Sequence, residues 1–323
     1  MTSSKGYTTD QLRLVTKVAR LYHQRGLTQP EIARRLDLSQ AGVSRALGEA
    51  VRLGIVRTTI HVPDGVFSDL EAELEERYGI NDVVIAEPVG SGDGDLLHAL
   101  GDAAAAYLEN AIPKSEVVGI SSWSESILYT VNAMRPVTKG KTKSIVQVLG
   151  GIGVSVSNSV ATRLTETLAR ASGADPIFLL VPGLCSDEKA RRAMEKDLSC
   201  QYVFNYFDKI SLLLLGIGSL EPSRYLNDSG NRITGAEQEK LRALGAVGDV
   251  CQRFYNQDGR PVKSAFDSRV IGIGFDQILA IPRRVGIAGG MRKFEAIRGA
   301  LRGGILTALL TDSEVARRLA RDP

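Results

Sequence analysis

Two groups of residues in this 323-residue chain have types and spacings suited to chemistry. The first lies in "LTQPEIARRLDLSQAGVSRALGEAVRLGIV", residues 27 to 56, where Arg45 and Arg52 are seven positions apart on one short helical segment. At about 100° per residue, Ala41, Arg45, Gly48 and Arg52 form one stripe of that helix, and Val43, Ala46, Leu47 and Ala50 form the opposite one. An apolar back with a small, basic front suits a helix that enters a DNA major groove. Arg45 then reaches a guanine edge, and Ser44 or Gln40 a base or phosphate. The second group sits far downstream, at the ends of strand-like runs. "GISSWSES" places four serines, Trp123 and Glu125 where a strand opens a helix; "VLGGIG" contributes Gly150 and Gly151; "VGIAGGMRK" contributes Gly289 and Gly290. Backbone amides at a helix start form an anion site, and Lys293, in the first turn of the last of these helices, leans back toward that start. Asp249, in "AVGDVCQRF", is a carboxylate for sugar hydroxyls or, equally, for capping a helix.

Other chemistries find no footing. No Walker A loop or GxGxxG fingerprint is present, and no Ser/His/Asp grouping. Cys185, Cys200 and Cys251 are scattered, odd in number and without zinc spacing, which favours reduced thiols in a cytoplasm. Cys251 reads as core, and His23, His61 and His98 as packed or surface residues. Neither a metal nor a cofactor is expected. The longest apolar run, "ISLLLLGIG", is strand-sized and falls short of the roughly 18 residues of a membrane span. The polar N-terminus argues against export.

Elements must position these groups. Thr8 with Gln11 forms a capping box for a first helix that stops at Gly26; a second helix spans residues 29 to 36 with Pro30 in its first turn; Ser39 caps a third that runs to Leu53. This is the layout of a helix-turn-helix domain over residues 1–62. That domain holds ten Lys or Arg against four acids, a charge of +6 in a chain of +3, so the rest carries −3. An anionic partner is expected for that end alone. "VRTTIHV" reads as a wing or an exit strand. Residues 63–82 are strongly acidic and read as a linker helix held away from the duplex. From 83 to 323, runs such as "VVGIS", "SIVQVLG", "PIFLLVP" and "VIGI" alternate with helical stretches, the last from Arg292 to Leu310. Their continuous hydrophobicity indicates a parallel sheet covered on both faces, an α/β doubly wound, Rossmann-like domain with its ligand beyond the strands' carboxyl ends.

Taken together, "SQAGVSRALGEAVRLGIV", "GISSWSES", "QVLGG", "LLLLGIGS", "GDVCQRF" and "AGGMRKFEAI", followed by "LLTDSEVA", resemble the SorC family of sugar-binding transcriptional regulators across nearly the whole chain. The resemblance implies a C-terminal domain similar to the sugar-phosphate isomerase and glucosamine-phosphate deaminase fold, sensing a carbohydrate effector and assembling dimers into tetramers on double-stranded operator DNA. It also implies a pocket built from Ser122, Ser124, Ser126, Gln147, Gly150, Gly151, Asp249 and Lys293 around a phosphorylated sugar. One position departs: where the family often reads "WGxT", this chain has "WSES", so Glu125 stands in or beside the phosphate loop, and a carboxylate within about 4 to 6 Å repels a phosphate. The alternative reading is a sugar-phosphate isomerase or deaminase with a fused helical domain, with Glu125 or Asp249 as its acid or base.

Overall fold

A computed structural model describes residues 7–56, 66–137, 140–151, 158–221 and 233–322. The chain divides into two compact units, Met1–Pro63 and Asp64–Pro323.

The first unit is three helices: α1 (Thr9–His23), α2 (Gln29–Leu36) and α3 (Gln40–Arg52). Thr8 and Gln11 make the expected capping box, Pro30 lies in the first turn of α2, and the Ser39 hydroxyl accepts the Gly42 amide at 3.0 Å. Asp37, left-handed at φ 53°, ends α2 and turns the chain tightly into α3. Val18, Leu21, Ile32, Ala33 and Val43 close one small core, with Val15, Ala19 and Ala50 beside it. The "VRTTIHV" segment lies largely outside the described residues.

The second unit begins with α4 (Ser68–Tyr78), followed by β1 (Asp82–Ala86), α5 (Asp93–Ala111), β2 (Val117–Ile120), α6 (Glu125–Ala133), β3 (Ser144–Gln147), α7 (Asn158–Ser172) and β4 (Asp175–Ile177). Next come α8 (Glu188–Glu195), α9 (Leu198–Phe207), β5 (Leu212–Gly216), β6 (Gly218–Ser219), α10 (Gly235–Ala243), β7 (Ala246–Val250) and β8 (Arg253–Asn256). The chain closes with α11 (Phe275–Ala280), β9 (Arg283–Ile287), α12 (Phe294–Arg302), β10 (Ala308–Asp312) and α13 (Ser313–Ala320). Seven strands form one parallel sheet in the order β1-β10-β9-β5-β2-β3-β4. Leu212 and Leu214 of β5 belong to the core with α5, α6 and α7, whereas Leu213 and Leu215 belong to the core with α9 and α12. Covering both faces is what the unbroken apolar strands require.

The strand order fixes where a ligand can enter. From β2 the chain winds through β3 to β4 in one direction, and from β5 through β9 to β10 in the other. Between β2 and β5, therefore, consecutive loops diverge and leave a crevice, the topological switch point of a doubly wound sheet.

Three expectations change. The acidic segment is no free-standing linker: Leu74 is buried, Glu71 and Glu75 accept the Ile85 and Val83 amides at 2.9 Å, and α4 packs on α13. Two of its acids thus cap the open side of β1. The helix expected over 292–310 stops at Arg302, because the Gly303-Gly304 pair ends it, and "ALLTD" is the fully buried strand β10 between β1 and β9. "VIGI" is not a strand of the main sheet; Val270 and Gly272 make isolated bridges to Leu184 and Leu149.

Candidate functional site

On the first unit, Gln40, Ala41, Ser44, Arg45 and Gly48 are exposed on α3 while Val43 and Ala50 are buried. The Arg45 guanidinium reaches back only to the Ala41 carbonyl, at 3.3 Å, and is otherwise presented to solvent. Arg52 differs. Its guanidinium donates to both Glu49 carboxylate oxygens and, at 2.6 Å, to the Tyr7 hydroxyl, and lies 5.6 Å from the Tyr7 ring centre. Arg52, with Tyr7, pulls the Glu49 carboxyl down to about 2. This cluster ties the segment before α1 to the end of α3, a role invisible in the stripe, since Tyr7 is 45 residues away. A groove between α1 and α2, edged by Arg13, Lys17, Arg20, Arg25 and Arg35, adds basic surface that α3 alone did not suggest.

On the second unit, the crevice at the switch point is an open cleft with an inner volume of about 70 Å³. The loop after β2 supplies Ser121, Trp123, Ser124 and Glu125; β5 and β6 supply Gly216, Gly218 and Ser219; the β7–β8 hairpin supplies Asp249, Cys251 and Gln252; the turn before α12 supplies Arg292 and Lys293. The Gly216 amide donates to the Ser121 hydroxyl at 3.1 Å, joining the two diverging strands. A Cβ on Gly216 would collide with Ser124, and one on Gly218 with Asp249, so both glycines let these polar side chains lie close against β5 and β6.

No local signal in the sequence announces the β7–β8 hairpin. Cys251 and Gln252, at φ 51° and 59°, form a two-residue turn with both residues left-handed, a geometry that Asn-Gly or Asp-Gly would have announced. The Gln252 amide donates to Asp249 Oδ2 at 2.9 Å. Asp249 is thus a strand residue aimed over the cleft rather than a helix cap. Burial pushes its carboxyl up to about 6 against the pull of the Gln252 amide and of Lys293. Burial, with Arg292 beside it, brings Lys293 down to about 8, opposed by Glu125 and Asp249. The Cys251 thiol is pushed up to about 12, chiefly by burial, which leaves it inert as a nucleophile.

Several expected site residues hold the loops instead of lining the cleft. The Ser122 hydroxyl donates to Leu149 O at 2.7 Å and the Ser126 hydroxyl to Ile287 O at 2.7 Å. Gln147 is fully buried and donates to Leu149 O and Leu179 O. The glycine amides are likewise spent: Gly150 donates to Ile271 O, Gly151 to Leu179 O, and Gly290 to Asp312 Oδ2 at 2.7 Å. Gly290 sits at φ 87°, and its turn, together with Gly289, walls a second cavity that shares Glu125, Arg292 and Lys293 with the cleft and is floored by Leu96, Leu97 and Leu100. Asp312, also accepting the Glu314 and Val315 amides, is the anchor the sequence did not reveal.

Comparison with known proteins decides the family. The family model described as "Putative sugar-binding domain" matches residues 66–321, and a MarR family model matches residues 18–65. The deoxyribonucleoside regulator of Bacillus subtilis is 30% identical over 317 residues, 97% of this chain and 99% of that protein. The chain belongs to the SorC family of sugar-binding transcriptional regulators. Among its SorC-family relatives, the sorbitol operon regulator of Klebsiella pneumoniae is 26% identical over 314 residues, 97% of this chain and 99% of that protein. The full-length crystal structure of SorC from that organism superposes with a TM-score of 0.72 at 25% identity, covering 97% of this chain and 100% of the other. As a SorC-family member, the chain is a DNA-binding transcriptional regulator that joins a helix-turn-helix unit to a sugar-binding unit. Among the described residues, no helix is long and apolar enough to cross a membrane.

Proposed function

We propose that this protein regulates a carbohydrate-utilisation operon from the cytoplasm, binding double-stranded operator DNA through Gln40, Ala41, Ser44 and Arg45 and responding to a sugar, polyol or sugar phosphate held at the switch-point cleft. The cleft carries the reading: Trp123 offers an apolar face, and Ser124, Asp249 and Lys293 converge with mixed donors and acceptors, the composition of a carbohydrate site. Relatives named for sorbitol and erythritol regulation support the same class. The protein works as a sensor, not a catalyst, and as a tetramer built from two dimers. An effector with different affinities for two arrangements of that tetramer changes how its reader helices meet the half-sites, spaced by one or more helical turns.

A thermal-shift screen across sugars, polyols and their phosphates tests this directly. A cognate effector raises the melting temperature by mass action and changes affinity for the protein's own promoter region. The reading fails if no carbohydrate does either, or if a sugar phosphate incubated without DNA is turned over.

A further inference from the structure

The charged groups of the cleft do not pair with one another. Glu125, the first residue of α6, and Lys293, at the start of α12, line the same space, yet neither makes an ion pair or side-chain hydrogen bond among the described residues. Around them, Glu125, Asp249 and Glu221 supply three carboxylates against the two cations Arg292 and Lys293. A carboxylate only accepts, so Glu125, and the Asp249 oxygen not taken by the Gln252 amide, call for ligand donors, which hydroxyls provide and a phosphate dianion does not. Several of the groups that could cradle a phosphate are already engaged. The amides of Gly150, Gly151, Gly216 and Gly290 all donate within the protein, and the Ser124 hydroxyl accepts the Ile127 amide at 3.3 Å in the first turn of α6. The positive end of α6, where an anionic ligand would gain most, already carries the Glu125 carboxylate.

We infer that the cleft takes an uncharged polyol or sugar and turns away its phosphate ester, and that Glu125 is the residue that sets this choice. The inference rests on the cleft being the effector site proposed above. Hydroxyls of such a ligand bridge the gap between Lys293 and Glu125, donating to the carboxylate and accepting from the ammonium. An ester placed there would set its charge against three carboxylates with no free glycine amide among those named to offset it. The side chain of Glu125 is partly exposed at a helix start, so replacing it perturbs the ligand's environment more than the fold.

The test uses the full-length protein and matched pairs: sorbitol with sorbitol 6-phosphate, erythritol with erythritol 4-phosphate, deoxyribose with deoxyribose 5-phosphate, and inorganic phosphate. Melting temperature and calorimetric affinity are measured for the parent, Glu125→Gln and Glu125→Ser. The parent is expected to respond to an alcohol at least tenfold more tightly than to its ester. Both variants are expected to narrow or reverse that ratio by about tenfold through a gain in ester affinity, which a merely structural residue would not produce. Tighter binding of an ester by the parent, or an unchanged ratio in both variants, overturns the inference while leaving the proposed function intact. Silence of the parent toward every carbohydrate in the wider screen sinks both.

Discussion

Arg45 and Arg52 share a helix face and a charge, but their surroundings separate them. Arg52 is held by Glu49 and Tyr7, whereas Arg45 has its guanidinium free to turn into a groove. Arg45→Ala is accordingly expected to cost about 1–3 kcal/mol of operator affinity and to relax specificity at one base position. Competition between operator and random duplex measures this, and the effector-induced thermal shift should persist. Asp249 makes a second prediction. Its folded-state value, about 6, lies above the ordinary 3.8, so the stability it contributes is complete below about pH 4 and is lost as pH rises through 6. Asp249→Asn removes that titration and still accepts the Gln252 amide. The unliganded variant should match the parent below pH 4 and exceed it at pH 8 by about 2–3 kcal/mol, the attraction to Lys293 being already contained in the value of about 6. Its effector response should disappear. Equal melting curves at pH 8 would show that the carboxylate bears no burial penalty.

The elements around the cleft are held by contacts distant in sequence. α12 starts at the cleft with Lys293 and carries Arg298 and Arg302 to Asp322, at 3.0 and 2.6 Å, while Arg77 of α4 donates to the Asp322 carbonyl. Asp322 is only 6% exposed. Removing a buried partner of this kind is expensive because the charge opposite it stays desolvated. Asp322→Ala is expected to lower the stability of the second unit by about 2 kcal/mol, and Asp322→Asn by less, in urea unfolding followed by Trp123 fluorescence. The three helices of the first unit and most of the main strands were legible because capping boxes, Pro30 and unbroken apolar runs are local signals. β10 was hidden: five buried residues after a helix extend its apolar pattern unless Gly303-Gly304 is taken as the stop. The β7–β8 hairpin was hidden because Cys251-Gln252 is not a turn pair. Lys293, Asp249 and Ser124 were legible as polar groups among glycines, but strand order, absent from any linear pattern, brings them to one crevice. The same topology turns Ser122, Ser126 and Gln147 toward carbonyls at and just beyond the ends of neighbouring strands.

At the scale of the molecule the two units divide the electrostatics. Residues 1–62 carry +6 and the remainder −3, so attraction to DNA resides in the first unit and the effector unit is close to balanced. Basic side chains at the α1–α2 groove, including Lys17 and Arg20, extend the positive surface beyond α3. Each phosphate neutralised releases counterions, giving a slope of about −0.9 in log affinity against log salt. Operator binding by the full-length protein should therefore fall by orders of magnitude between 50 and 200 mM salt, about 10³-fold if six phosphates are contacted. Effector binding should behave otherwise: an uncharged ligand between Lys293 and Glu125 exchanges no counterions, so its affinity should change less than twofold over the same range. Residues 64–323 expressed alone should reproduce that flat response and bind no DNA. A steep salt dependence for the effector would mean that a charged ligand occupies the cleft, and a flat one for the operator would remove the first unit's basic surface from the interface.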